Sequence, residues 1–163
     1  MVAGRIMQDL RRVVWEEMVL ANMRANYFAE LVSHYQNWEK WLRVLVLVSS
    51  SGAAATVLTT APDWIKLAFP VIAAAVSFWL LFSQYGMLAR DAADLHSGWN
   101  RLAAEYESLW NHLDDPHAEA RYHQIYESGE PLSKTGTKFP NRPKRLEYWL
   151  DHSAQLLTAR YAA

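Results

Sequence analysis

Apolar positions in this chain change rhythm twice, and the changes divide it into segments. From Ile6 to about Leu42, apolar or aromatic residues recur at Ile6, Leu10, Val13, Leu20, Tyr27, Leu31, Tyr35, Trp38 and Leu42. Steps of three and four fit a long amphipathic helix, with Glu17 and Arg24 interrupting the stripe. Two runs without any charge follow, Val44–Pro62 and Leu67–Ala89, separated by Asp63-Trp64-Ile65-Lys66. Beyond them Leu88, Ala92, Leu95, Trp99, Leu102, Tyr106, Leu109 and Leu113 step alternately by four and three, the heptad rhythm of a coiled-coil seam.

A helix rises about 1.5 Å per residue, so about 20 apolar residues cross a hydrocarbon core of roughly 30 Å. The two runs hold 19 and 23 residues, and the pattern predicts a transmembrane helical hairpin. Pro62 ends the first crossing and Asp63 caps the second. Trp38, Trp41 and Trp64 fall where indole rings favour the headgroup layer. Arg24, Lys40 and Arg43 precede the hairpin and Arg90 and Arg101 follow it, against Lys66 alone in the connector. By the positive-inside rule both termini are expected in the cytoplasm, with the chain a multi-pass protein of the inner membrane.

The rest of the chain adds helices. Asp114-Asp115-Pro116 carries cap and first-turn chemistry for a short helix from His117 to about Glu127. The stretch from Ser128 to Pro143, with its glycines and prolines, predicts a loop, and Lys144 to Tyr161 a last amphipathic helix. The expected fold class is therefore all-α: a membrane protein with a two-helix transmembrane hairpin, extended by long cytosolic helices and a small C-terminal helical region. Its segments are an N-terminal helix (1–43), the hairpin (44–89), a coiled-coil-like stalk (90–113) and a C-terminal region with a basic loop (114–163).

Composition qualifies this picture. Charged residues make up 20% of the chain and mean hydropathy is -0.15, values that suit a globular domain. The charge is partitioned, however: residues 1–43 hold six basic and five acidic residues, residues 90–163 nine and eleven, and the middle one of each. A net charge of -1 gives no push toward nucleic acid, and no direct nucleic-acid partner is expected. The absence of cysteine excludes disulfide staples and thiolate nucleophiles. Charges throughout the first 43 residues leave no isolated apolar core of the kind a signal peptide has.

Catalytic chemistry finds little foothold. Lys134-Thr135-Gly136 matches a short β-lactamase motif but has neither the strand nor the Ser-x-x-Lys partner that chemistry requires. His112, Asp114, Asp115 and His117 span a helix end, where Asp residues serve as caps. No enzyme, cofactor or metal site is expected. Lys134, Lys138, Arg142, Lys144 and Arg145 form a basic group suited to lipid headgroups, a phosphate-bearing ligand or an acidic partner. In the hairpin, Ser49, Gly52, Thr56, Ser77 and Gln84 are the small or polar positions, candidates for pore lining or helix contact. Two helices make too little wall for a pore, so conduction would need several copies. Leu95, Trp99, Leu102, Tyr106 and Leu109 are the candidate oligomer seam, although the N-terminal amphipathic helix is the simplest partner for it.

An aromatic-rich helix ending Tyr35-Gln36-Asn37-Trp38-Glu39-Lys40-Trp41-Leu42, a Ser/Gly/Ala-rich first crossing, a Pro-containing turn, a second crossing and a charged helical continuation complete one arrangement. Over about residues 10–113 it resembles the bacterial SLATT-type two-transmembrane proteins. The resemblance implies a homo-oligomeric pore-forming or membrane-disrupting effector of a prokaryotic defence system. Its activation would come from a cytosolic sensor or a nucleotide synthase partner. The alternative is a non-conducting membrane anchor or scaffold whose cytosolic helices dock a partner protein. A third reading is a soluble helical binding module.

Overall fold

The computed structural model of the chain describes residues 2–50, 62–82 and 85–161. Among them are five α-helices: α1 (Val2–Ser50), α2 (Asp63–Phe82), α3 (Tyr85–Trp110), α4 (Ala118–Gly136) and α5 (Pro143–Tyr161). They form two compact units. The first combines residues 1–30 with 92–163, and the second spans Leu31–Asp91. Helices α1 and α3 contribute to both.

In the first unit the heptad of α3 lies inside the chain's own core. Ala92, Leu95, Trp99, Leu102, Tyr106 and Leu109 are all buried, as is Leu113 in the turn that follows the helix. Facing polar contacts identify α1 as a neighbour: His96 Nδ1 lies 2.8 Å from the Ala25 carbonyl oxygen, and the Arg24 guanidinium stands 4.4 Å from the Trp99 ring centroid. Trp15 of α1 meets Trp110 at 5.1 Å and the Tyr161 ring of α5 at 6.1 Å. The apolar side chains of the candidate oligomer seam are thus covered within one chain and offer no open stripe to a second copy.

The buried stripe of α1 differs in register from the expected one. Val14, Met18, Ala21, Ala25 and Phe28 are buried, again in steps of four and three, one position on from Val13, Glu17, Leu20, Arg24 and Tyr27. Glu17 and Arg24 therefore do not interrupt the stripe; they flank it. Tyr27 is buried as well, and its hydroxyl donates to the Pro140 carbonyl.

Helix α4 runs nine residues beyond the expected short helix, to Gly136, and carries Pro131 in its interior. Proline removes one ladder donor, and the hydroxyl of Ser128 donates to the Ile125 carbonyl at 2.7 Å just before it. Gly129 is a packing position: a Cβ there would stand 3.1 Å from Leu102 Cδ2. At Gly98, on α3, it would stand 2.6 Å from Leu132 Cδ2. The two glycines let α3 and α4 approach closely. The start of α4 also differs: Asp115 accepts the His117 backbone N–H at 2.8 Å, and the helix opens at Ala118, with Pro116 left in the preceding turn.

Helix α5 is fastened to α1 through Glu30. Trp149 Nε1 donates to its Oε2 at 2.7 Å, and Arg145 Nε lies 3.2 Å from Oε1. Asn26 Nδ2 also donates to Ser153 Oγ at 3.4 Å, where Ser153 is buried. At the other end Glu107 of α3 accepts from Arg160 at 2.7 Å and from the Tyr161 hydroxyl at 2.9 Å.

In the second unit, Tyr35 and Tyr85 bring α1 and α3 together with ring centroids 6.3 Å apart. Glu39 pairs with Arg43 and approaches Gly86, where a Cβ would stand 3.3 Å from Glu39 Oε1. Large apolar side chains are well exposed here, Trp41 at 72% and Trp64 at 71%.

The membrane architecture is corrected by these elements. Among the described residues no helix is long and apolar enough to cross a membrane. The first charge-free run lies in α1 only from Val44 to Ser50, and its residues 51–61 are outside the described set. Of the second, Leu67–Phe82 lies in α2 and Tyr85–Ala89 in α3, and residues 83–84 are outside the described set. Helix α2 opens with Asp63 and Lys66, and its charge-free residues within the described set are Leu67–Phe82. The transmembrane hairpin, the multi-pass inner-membrane location with both termini cytoplasmic, and the lipid-bilayer partner lose their basis together. Pore formation and the membrane-anchored scaffold lose theirs as well, since both required the crossings.

Two outcomes test the packing. Glu30→Ala should lower stability by about 1.5 kcal/mol, the contribution of a hydrogen bond to a charged group, read from urea unfolding. Gly98→Leu should cost about 1–3 kcal/mol by overpacking α3 against α4, and Leu132→Ala in the same chain should recover part of the loss; an additive double variant would contradict the contact.

Candidate ligand-binding groove

Two cavities in the first unit share one wall. The first, about 390 Å³, is lined by Tyr27, Phe28, Trp99, Leu132, Phe139, Pro140 and Leu146, with Arg24, Ser133, Thr137 and Asn141 as polar neighbours. The second, about 380 Å³, is lined by Glu17, Leu20, Leu102, Tyr106, Tyr126, Glu127 and Glu130, and again by Arg24, Trp99 and Ser133. Arg24, Trp99 and Ser133 therefore separate an aromatic chamber from an acidic one.

Helix geometry places these groups. Glu17 and Arg24 are two turns apart on α1 and share a face beside the buried stripe. Gly98, Gly129 and Gly136 open room near the groove, the last with a Cβ position 3.4 Å from Phe28 Cζ. Phe28 and Phe139 pack edge-on at 5.6 Å.

One buried polar group in this wall is unmatched among the described residues. Trp99 is 4% exposed, and its Nε1 is buried without a hydrogen-bond partner among the described residues. A buried donor left unpaired costs about 1–3 kcal/mol. Arg24 lies over the Trp99 ring and donates to Ser133 Oγ at 3.3 Å, with no ion pair among the described residues. Glu17 is half-buried, and burial pushes its carboxyl above the usual range, partly offset by the charge of Arg24. Burial likewise raises the Tyr106 phenol well above its ordinary value, with Glu17 adding to the effect. Tyr106, 1% exposed, lines the acidic chamber.

The residues singled out in the sequence are distributed differently. Trp99, Leu102 and Tyr106 line the groove, whereas Leu95 and Leu109 lie in the core. Gly52, Thr56 and Gln84 lie outside the described residues; Ser49 belongs to α1 and Ser77 to α2. Of the basic group, Lys134 pairs with Glu130 at 2.8 Å and Arg145 with Glu30, both within the first unit. Lys138, Arg142 and Lys144 are exposed. These five cations are not gathered around one shared pocket. Glu17 and Arg24 are site residues beyond those expected from the sequence, and two charges interrupting an apolar stripe at a seven-residue interval are the signal that marks them.

Comparison with family models, with curated proteins and with solved structures finds no match. With no described helix able to cross a membrane, the resemblance to the SLATT-type proteins is set aside. The defence-effector role, the homo-oligomer and the sensor or nucleotide synthase partner that it implied go with it.

The raised Glu17 carboxyl has a pH signature. The folded chain holds this proton more tightly than the unfolded chain, so the group costs stability as pH rises from the ordinary carboxylate range through its raised value. Glu17→Gln removes that cost. The advantage of the variant in urea midpoint should grow across this window and then level off; a difference constant from about pH 4 to about pH 8 would contradict the burial assigned to Glu17.

Proposed function

We propose that the chain is a non-catalytic helical binding module whose ligand site is the groove around Arg24 and Trp99. The observation that carries this reading is the buried indole N–H of Trp99, left without an acceptor in the wall between two cavities. Native interiors seldom leave such a donor unmatched unless another molecule or a special role accounts for it. The aromatic chamber supplies an apolar seat, and a few polar groups converge at its edge, the usual composition of a small-molecule site.

The groups present favour binding over turnover. Glu17 makes no hydrogen bond to a hydroxyl among the described residues, and Ser133 is engaged by a guanidinium that cannot act as a base. Nothing in this arrangement activates a hydroxyl.

Titration with p-cresol, an uncharged aromatic probe sized for the first chamber, tests the reading. Among the indole ¹H–¹⁵N resonances of the eight tryptophans, assigned by substitution, that of Trp99 should move most. Leu132→Trp should fill the chamber and suppress the shift. A Trp99 resonance that stays fixed while p-cresol is raised to its solubility limit would overturn the proposal.

A further inference from the structure

We infer that the groove is built for a small zwitterion with an apolar side chain: a free amino acid or dipeptide of the phenylalanine or leucine type. The inference rests on the binding reading and names its ligand class. Two opposite charges on α1, Glu17 and Arg24, line the same chamber, yet they form no ion pair with each other or with any other described residue. Their coupling is felt as a coulombic influence of Arg24 on Glu17. An ammonium placed beside Glu17 and a carboxylate beside Arg24 would complete both at once, and a ligand carrying a single charge would leave one unmatched.

The neighbouring groups agree in polarity at each end. Beside Glu17 stands the Tyr106 hydroxyl, which accepts as well as donates, and Glu127 lines the same chamber. Tyr126 adds a ring face suited to an ammonium. Near Arg24 stand two donors, the Trp99 indole N–H without an acceptor and the Ser133 hydroxyl. Donors thus gather where a carboxylate would sit and acceptors where an ammonium would sit. Across the Arg24–Trp99 wall the aromatic chamber, with Tyr27, Phe28 and Phe139, receives an apolar side chain without further charge.

The size also fits. A chamber of about 390 Å³ lies in the range for small ligands, roughly 300–1,000 Å³, and accommodates a single aromatic side chain rather than an extended polymer.

The test compares three ligands that share one ring. L-phenylalanine carries both charges, 3-phenylpropionate lacks the ammonium, and phenethylammonium lacks the carboxylate. Binding is followed by the Trp99 indole resonance and by calorimetry, with L-phenylalanyl-L-phenylalanine as a further arm to separate amino acid from dipeptide. One or both zwitterions should bind at least about tenfold more tightly than either singly charged ligand, as expected when a charge-assisted contact is lost. Glu17→Gln should erase the preference over 3-phenylpropionate while keeping the preference over phenethylammonium, and Arg24→Gln should do the reverse. Circular dichroism and the p-cresol response of each variant report whether the groove is intact. Equal affinities for all three phenyl ligands, with p-cresol still moving Trp99, would overturn the zwitterion assignment and leave the binding module standing. If neither p-cresol nor any of the four ligands moves Trp99, both fail.

Discussion

Everything in the first unit depends on how closely α1 and α3 can pack. Their facing stripes contain small residues, Ala21 and Ala25 on one helix and Ala92 and Ala103 on the other, all buried. Small side chains shorten the separation at which two helices reach dense packing. The large buried groups, Met18, Leu95, Tyr106 and Leu109, fill the space that remains. Helix α4 then approaches α3 over Gly98 and Gly129, and α5 attaches to α1 through Glu30. The groove forms where this packing ends, at the edge of the α1 stripe occupied by Glu17 and Arg24.

That edge explains which features could be read from the chain in advance. The heptad of α3 was visible because nearly every position in it is large and apolar, and the structure buries Ala92 through Leu113 at those positions. The stripe of α1 was misplaced by one residue because its true members include two alanines, whose modest hydropathy hides beside Leu20 and Tyr27. Two residues counted as interruptions thereby became the charged groups of the groove. Helix α4 was cut short because Gly129 and Pro131 usually end helices. Here the glycine answers a steric demand from Leu102, and α4 continues through Pro131 to Gly136.

The charge-free runs misled for a different reason. Length was counted along uninterrupted sequence, but a helix crosses a membrane only over the residues that it contains. The charges of Asp63 and Lys66 fall inside α2, ahead of the apolar residues that begin at Leu67. Hydropathy along the chain does not record which charges a helix includes. The groove was illegible on the same ground: Glu17, Trp99 and Tyr126 come from three helices, and no spacing in the sequence relates them.

The attachment of α5 to α1 also orders events during synthesis. Asn26 bonds Ser153 across 127 positions, and Glu30 bonds Trp149 across 119. At about 5–20 residues per second, translation leaves the first half of α1 without these partners for roughly 6–25 seconds. During that interval Asn26 and Glu30 stay without the bonds that α5 supplies. This segment of α1 gains the bonds that α5 supplies only after helices α2 to α4 have been made.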